Sequence, residues 1–279
     1  TYDAPQKGLL WGWEVAGYLW TKSIAGGILF FPLLLNLAGW LPLTRAAEMA
    51  MAVLGLAFLA LTGLLLVKDL DQPRRFVYVL LRPQWRSWLA RGAYIITAFG
   101  AATTLWLALL LLRLEVGAAL RVLLILLGAA AAVYTAFLFA QAKGRDLWQS
   151  PLLPLHVLVH GALTGGAALL LLASFTDLGD ARGLAQGLLA ALILNLGLLL
   201  VEFTLPHGSH DSHAALRILC RGALRMPFWA AVLLGNVVPV GLLLTQRSWG
   251  NPAAALLMLG FAVVHDHVWV KAPQLVPLR

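Results

Sequence analysis

The sequence has very little charge and almost no cysteine. Asp, Glu, Lys and Arg make up 11% of its 279 residues, against about 25% in soluble domains, whereas 61% are hydrophobic. So few charged residues cannot cover a water-exposed surface, so the chain must face lipid. The single cysteine, Cys220, excludes a cysteine-ligated iron–sulfur cluster, a Cys-based zinc site and an internal disulfide. A redox centre of that kind must come from a partner.

Eight apolar stretches divide the chain, and most reach the roughly 20 residues that a membrane-spanning helix needs. They lie near residues 9–36, 47–67, 88–112, 118–141, 152–174, 183–204, 226–245 and 253–270. We therefore predict an all-α membrane protein with eight transmembrane helices. The first stretch contains Glu14 and Lys22 and lacks a cleavage site of small residues, so we interpret it as a helix of the mature protein rather than as a signal peptide.

The basic residues are distributed unequally between the two membrane sides. An even number of spans puts both termini on one side, together with fourteen Lys and Arg residues, whereas five lie on the other. Because positive charge prefers the cytoplasmic side, this count predicts cytoplasmic termini. A basic face that docks an acidic subunit would give the same count. In a membrane protein a net charge of +8 mainly reflects which loops lie on which side of the membrane, so we do not expect nucleic-acid binding.

The two halves of the sequence contain matching segments in the same order. The pairs are GLLLVK at 63–68 with GLLLVE at 197–202, ARGA at 90–93 with CRGA at 220–223, and IAGG at 24–27 with LTGG at 163–166. Their nearly constant offset favours duplication of a four-helix unit over chance matches among Leu- and Gly-rich segments. We predict two tandem four-helix bundles, residues 1–146 and 147–279, arranged as parallel repeats.

Several polar side chains fall inside the apolar stretches, where a charge costs at least about 2.5–3.5 kcal/mol. Glu14, Tyr18 and Lys22 are spaced by four and share one helix face, which cannot face lipid. Further polar groups fall toward the same membrane side: Lys68, Asp69, Tyr134, His156 and His160. Their convergence favours a redox or proton-transfer pocket over structural ion pairs and an interfacial aromatic belt. Glu202 and Asp266 suit either a proton route or a structural role.

Histidine raises two metal hypotheses. The segment HGSHDSH at 207–213 lies in a predicted polar loop, where three imidazoles could hold a metal or remain solvated. Haem could be ligated by histidines within the spans: His156, His160, His265 and His267. We predict no haem, because no two helices show a histidine pair at matching depths on both sides of the membrane and no CxxCH motif is present. For the segment at 207–213 we favour a solvated loop, so we predict no metal site either.

Four long segments together resemble one known family. They are WGWEVAGYLWTKSIAGG at 11–27, VKDLDQPRRFVYVLLRPQWRSWLARGAYIITAFG at 67–100, VYTAFLFAQAKGRDLWQSPLLPLHVLVHGALTGGAA at 133–168 and VWVKAPQLVPL at 268–278. In this order they resemble the NrfD/PsrC integral membrane subunits of polysulfide reductase-like molybdenum oxidoreductase complexes. The likeness covers essentially the whole chain.

This resemblance implies a multi-pass subunit of the bacterial inner membrane that reacts with quinone, either menaquinone or ubiquinone, in its first bundle. It implies no haem or iron–sulfur cluster in the subunit itself, a ferredoxin-like iron–sulfur partner and a catalytic subunit of the molybdopterin type. Proton conduction is an additional hypothesis. The alternatives are a secondary transporter or ion-conducting protein, and a purely structural anchor.

The resemblance also assigns roles to residues. Tyr134 matches the family's quinone-contacting tyrosine, Asp69 its acidic residue at the end of helix 2, and Glu14 to Tyr18 its polar start of helix 1, where relatives have Asn or His. We expect Glu14, Asp69 and Tyr134 to act in catalysis. The expected quinone contacts are Tyr18, Lys22, Tyr134 and His156, and the expected partner-docking residues are Arg74, Arg75, Arg82 and Arg86. Better-known members have the pocket on the periplasmic side, opposite to the basic-residue count.

Overall fold

The computed structural model describes residues 11–69, 81–142, 144–204 and 209–277. Eight of its helices are long and apolar enough to cross a membrane, so the predicted all-α fold with eight spans is confirmed. The elements are α1 (Trp13–Leu37), α2 (Arg45–Asp69), α3 (Trp88–Leu111), α4 (Ala118–Ala140), α5 (Leu153–Ala173), α6 (Ala181–Thr204), α7 (His210–Cys220), α8 (Arg225–Val232), α9 (Val238–Leu244) and α10 (Gly250–Lys271). A π-helical segment, Leu233–Val237, joins α8 and α9 into the seventh span.

Helix α1 lies at the centre of the protein. In its most apolar stretch 89% of the residues are buried, against 22% in α2 and 28% in α3. It packs against α2 and α4 of the first half and against α5 and α10 of the second. Since its whole circumference meets other helices, the polar stripe of α1 is shielded from lipid by protein.

The helix contacts follow the same order in both halves. In the first half α1 contacts α2, α2 contacts α3, α3 contacts α4, and α4 returns to α1. In the second half α5, α6, the seventh span and α10 form the corresponding closed ring. A repeated four-helix unit would give this pattern. The division into bundles of residues 1–146 and 147–279 stays a prediction.

The two halves meet where α1 crosses α5, and glycine makes this crossing close. A methyl group added at Gly27 would overlap the carbonyl group of Gly161, and one added at Gly165 would overlap the backbone of Gly27 and Ile28. Small residues allow helix backbones to approach in this way. The two repeated motifs, IAGG and LTGG, therefore contact each other directly, which supports the duplication inferred from the sequence.

The structure shows which connections share a membrane side. The backbone N–H of Trp11 donates to Oε1 of Gln274 at 3.0 Å, and the Trp11 ring stacks on Trp148 at 4.8 Å. Helix α7 packs against the short 3-10 helices Asp146–Gln149 and Ala272–Leu275. On the other side Thr44 donates to the carbonyl of Leu178 at 2.9 Å. The described ends of the chain thus lie together with the connections after α4 and α6.

The predicted polar loop at 207–213 is partly wrong. His207 lies outside the described residues, but His210 and His213 belong to α7. Ser209 caps this helix, because its hydroxyl accepts a hydrogen bond from the Ser212 N–H at 3.1 Å. Helix α7 is amphipathic and buries Ala215, Leu216 and Leu219. The capping serine and this apolar face outweighed the polar composition of the segment.

The α1–α5 crossing predicts a strong effect of Gly165→Ala. The added methyl group would force the two backbones apart, so we expect the free energy of unfolding to fall by at least about 1–3 kcal/mol. Unfolding in mixed detergent micelles would measure it. The matched control is Gly197→Ala on α6, where nothing lies within 4 Å of an added methyl group. Equal stability of the two variants would contradict the close crossing.

Cys220, the last residue of α7, reports the membrane side of the termini. The basic-residue count predicts labelling by a membrane-impermeant maleimide in inverted vesicles and protection in right-side-out vesicles, with Cys220→Ser as the unlabelled control. Burial raises the pKa of the Cys220 thiol, and the thiolate is the reactive form. The labelling rate should therefore rise between about pH 7 and about pH 9. Labelling of right-side-out vesicles alone would place the basic face outside the cell.

Candidate functional site

Lys22 is completely buried between α1 and α4. Its ammonium group donates to the carbonyl oxygens of Ala131 and Ala132 at 2.9 and 2.6 Å and to the hydroxyl of Thr135 at 3.0 Å. These three bonds use all three N–H donors of the ammonium group. A buried charge needs such partners, and here backbone carbonyls of α4 provide two of them. Lys22 therefore ties the first and fourth helices of the first half together.

Tyr134 lies beside Lys22, and both belong to the predicted site. The Lys22 ammonium is 5.0 Å from the centroid of the Tyr134 ring, within the range of a cation–π contact. Tyr134 is buried, and its ring occupies the space that a side chain at Gly92 of α3 would need. Tyr18, also buried, belongs to the same apolar cluster as Tyr134. The structure thus brings Tyr18, Lys22 and Tyr134 together as predicted from the sequence.

The two predicted carboxylates lie closer to the end of the bundle. Glu14 is half-buried in the first turn of α1, two turns before Lys22, and forms no ion pair with another described residue. Asp69 is the last residue of α2, and its side chain lies outside what the structure describes. The end of α2 is beside the start of α1, because the Lys68 ammonium is 4.7 Å from the Trp13 ring. Both carboxylates therefore lie at the same end of the protein.

The predicted docking arginines are only partly described. Arg82 and Arg86 are exposed in the connection between α2 and α3, on the side that holds the termini. Arg74 and Arg75 lie outside the described residues. Exposure leaves Arg82 and Arg86 free to meet a partner surface.

His156 lies apart from Tyr134, in a group of polar residues that belongs mainly to the second half. Its Nε2 is 3.7 Å from Oε2 of Glu202 on α6, and Ser150 donates to the same oxygen at 3.0 Å. Both His156 and Glu202 are buried. The pair joins the start of α5 to the end of α6.

A second polar contact lies one turn further along α5. Nε2 of His160 is 3.2 Å from Oδ2 of Asp266 on α10, and the His160 and His265 rings are 5.8 Å apart with an angle of 29° between them. Histidines of α5 and α10 thus meet at one depth of the membrane. His160 and Asp266 are 106 residues apart, and only the packing of α5 on α10 brings them together.

A cavity of about 40 Å³, lined by both apolar and polar side chains, lies between these two contacts. At about 10–15 Å³ per molecule it has room for about three waters, which is far too little for a quinone ring. Its lining residues include Ser23, His156, His160, Asn195, His265 and Asp266. Ser23 and Leu19 reach it from α1, on a different face from Tyr18 and Lys22. Phe139 of α4, the helix that carries Tyr134, lines the cavity as well, so the cavity borders both halves.

A second, smaller cavity continues from the first toward the seventh span. It has a volume of about 20 Å³ and shares His160, Asn195 and His265 with the larger one. The Asn195 side chain donates to Oδ1 of Asn236 at 2.7 Å, and Asn236 lies in the π-helical segment. Such segments are frequent at functional sites. The corresponding helix of the first half, α3, is an uninterrupted α-helix.

The sequence indicated the ionisable residues of the second half but not their pairing. The segment VVHDHVW at 263–269 inside an apolar span already marks His265 and Asp266 as a functional candidate. Nothing in it identifies His160 as their neighbour. The assignment of His156 to the same pocket as Tyr134 rested on shared depth, and depth does not specify the direction in which a side chain points.

The fold and these groups define an eight-span membrane protein that encloses ionisable and aromatic side chains near the end that holds its termini. A sequence profile described as "Polysulphide reductase, NrfD" matches residues 3–273, which is nearly the whole chain. The chain therefore belongs to the NrfD family, whose members are membrane subunits of redox complexes. No match was found among curated proteins.

Lys22 and Asp266 are buried on the neighbouring helices α1 and α10 and have opposite formal charges, so we expect them to attract each other. Lys22→Met or Asp266→Asn alone leaves the other charge uncompensated, so each should destabilise the protein. The double variant should be more stable than the sum of both effects predicts, by about 0.5–3 kcal/mol. Unfolding in detergent with chelator present would measure this coupling.

The control pairs Lys22→Met with Asp180→Asn, which removes an exposed carboxylate at the start of α6. The stability effects of these two substitutions should be additive. Additivity at Asp266 as well would exclude the interaction.

Proposed function

We propose that this chain is the quinone-reactive membrane subunit of a respiratory oxidoreductase in the bacterial inner membrane. The observation that carries the proposal is the buried group of Tyr18, Lys22 and Tyr134 in the first half of an NrfD-family chain. In this proposal a quinone headgroup enters beside Tyr134. It exchanges two electrons with an iron–sulfur cluster of a partner and two protons with this chain.

The chemistry assigns a task to each residue. Reduction of a quinone to a quinol adds two electrons and two protons, so the site must stabilise negative charge on the quinone oxygens and supply protons. The phenol of Tyr134 would donate a hydrogen bond to one oxygen. The three donors of Lys22 are already used, so it would act through its charge, which attracts electron density toward the headgroup. Tyr18 would line the site from α1.

Proton transfer would follow the carboxylates toward the end of the bundle. Glu14 lies on the same face of α1 as Tyr18 and Lys22, two turns from Lys22, and Asp69 ends the neighbouring helix. Carboxylates suit this role because they exchange protons readily with water and with phenols. The cavity beside His156 is too small for a quinone ring, so His156 would contact quinone only if the cavity widens.

The electron partner in this proposal is a ferredoxin-like iron–sulfur subunit, linked to a catalytic subunit of the molybdopterin type. The chain has one cysteine and cannot hold such a cluster by cysteine ligation. Arg82 and Arg86 are exposed at the end of the bundle nearest Glu14 and would attract an acidic partner surface, together with Arg74 and Arg75. Proton conduction across the membrane remains a separate hypothesis.

The transporter alternative receives less support. Alternating-access transporters built from repeats bind substrate at helices that are interrupted in both halves. Here the seventh span contains a π-helical segment, whereas α3, the helix at the corresponding position, is continuous. Within the described part of the chain the interruption is thus confined to one half.

The test is quinol-driven turnover of the purified complex with Tyr134→Phe and Glu14→Gln. Loss of one hydrogen bond to the developing charge, worth about 1.5–3 kcal/mol, should lower turnover about tenfold to a hundredfold in Tyr134→Phe. Glu14→Gln should slow turnover while quinone binding, measured by inhibitor displacement, stays unchanged.

The control for this test is Tyr94→Phe on α3, whose ring packs on Trp85 at 4.9 Å. It removes a phenol from the same end of the bundle and should leave turnover at the wild-type level. Wild-type turnover in both Tyr134→Phe and Glu14→Gln would contradict the proposed site. Purification of the native chain without iron–sulfur and catalytic subunits would contradict the proposed partnership.

A further inference from the structure

We propose that His160, His265 and Asp266 form a binding site for one divalent transition-metal ion, of which Zn²⁺ is the prototype. The site lies between α5 and α10, in the second half of the chain. It is independent of the proposed quinone chemistry, because none of its residues belongs to the first half.

The three side chains already present their ligand atoms to a common point. One ligand atom from each residue lies within 4.8 Å of the other two. Nε2 of His160 is 3.2 Å from Oδ2 of Asp266, and Nδ1 of His265 is 4.0 Å from Oδ1 of Asp266. Atoms that bind one tetrahedral Zn²⁺ at about 2.0–2.2 Å lie about 3.3–3.6 Å apart. Side-chain shifts of about an ångström, which rotation of the imidazole and carboxylate groups can supply, would therefore close the site.

Buried nitrogen atoms without hydrogen-bond partners also indicate a missing ligand. Nδ1 of His265 and Nε2 of His156 are both inaccessible, and each faces a carboxylate oxygen, at 4.0 and 3.7 Å, that is too distant for a hydrogen bond. His156 as a whole is 8% exposed and lines the cavity beside His160. Buried polar atoms are normally satisfied, so an unpartnered imidazole nitrogen needs an explanation. A metal ion would satisfy His265 directly, and a metal-bound water in the cavity could reach His156.

The charges around the cavity favour a cation. Glu202 and Asp266 are buried carboxylates, and Lys22 is the only buried ammonium or guanidinium group near them in the described part of the chain. Ionised together, these two carboxylates would outnumber the one ammonium group and leave an excess negative charge inside the protein. A proton on His160 would balance it but would leave Nδ1 of His265 without a partner. A metal ion accounts for both observations.

The ligand types identify the class of ion. Two imidazoles and one carboxylate are the set found in open zinc and non-haem iron sites, whereas Mg²⁺ and Ca²⁺ prefer oxygen ligands alone. The remaining coordination positions would be filled by water, for which the adjacent cavity of about 40 Å³ has room. Asn195 faces these waters from α6.

The site also has a structural counterpart. In the first half Lys22 of α1 is bonded to Ala131, Ala132 and Thr135 of α4. In the second half His160 of α5 meets Asp266 of α10, which is the same pair of positions in the repeated unit. Each half therefore has a polar connection between its first and fourth helices. The ammonium group makes this connection in one half, and the metal ion would make it in the other.

Cobalt binding tests the proposal, because Co²⁺ takes the place of Zn²⁺ and absorbs visible light. The intact complex would be stripped with chelator, equilibrated with Co²⁺ and examined by metal analysis and absorption. We expect about one tightly bound Co²⁺ per chain, with an affinity at least tenfold weaker in His160→Gln and in Asp266→Asn. The control His213→Gln removes an exposed imidazole of α7 and should bind normally.

Several outcomes would overturn the site. Absence of stoichiometric Co²⁺, or full binding in both His160→Gln and Asp266→Asn, would exclude it, and loss of binding in His213→Gln would place the metal on α7. If the variants fail to fold, the proposal can still be tested on the native complex. Zn²⁺ but not Mg²⁺ should raise its unfolding temperature, since only an ion that binds the folded state stabilises it. An equal response to both ions would refute the proposal. Because no readout uses quinol turnover, failure here leaves the quinone proposal untouched.

Discussion

The absence of hydrogen-bond partners in lipid determines how this protein is arranged around α1. A chain with ionisable groups in its first span can place that span in a membrane only by surrounding it with other helices. Here α2, α4, α5 and α10 do so, and almost none of the helix meets lipid. Lys22 can then be fully buried, because backbone carbonyls of α4 replace the water that its ammonium group loses. The central position of α1 is thus a condition for its polar stripe.

Glycine makes this central position geometrically possible. Helices pack tightly in lipid through dispersion forces, and these require backbones that approach closely. At the crossing of α1 and α5, the absence of side chains on Gly27 and Gly165 lets the backbones touch. Two faces of α1 therefore contact other helices. Tyr18 and Lys22 face α4 and the first half, whereas Leu19 and Ser23 face the cavity of the second half.

Much of this architecture follows from the sequence, because hydrophobicity and the helical spacing of polar residues are local properties of the chain. The eight spans, the burial of the α1 stripe and the grouping of Tyr18, Lys22 and Tyr134 could all be predicted. The pairing of His160 with Asp266 could not, since it depends on the rotation of α5 and α10 about their axes. Depth along a helix is readable from the sequence, whereas the direction of a side chain between helices is decided by packing. For the same reason the pairing of His156 with Glu202 on α6 could not be predicted.

The two faces of α1 suit two different kinds of chemistry. The side toward Tyr134 combines phenols with one ammonium group whose donors are all occupied, so it offers a fixed positive charge and little room for water. The side toward His160 combines imidazoles and carboxylates around space for a few waters, so it offers exchangeable ligands and excess negative charge. An electron-rich headgroup is better stabilised beside the first, and a cation beside the second. Because α1 contributes residues to both sides, a change of charge on one side would alter the potential on the other without any contact between the bound groups.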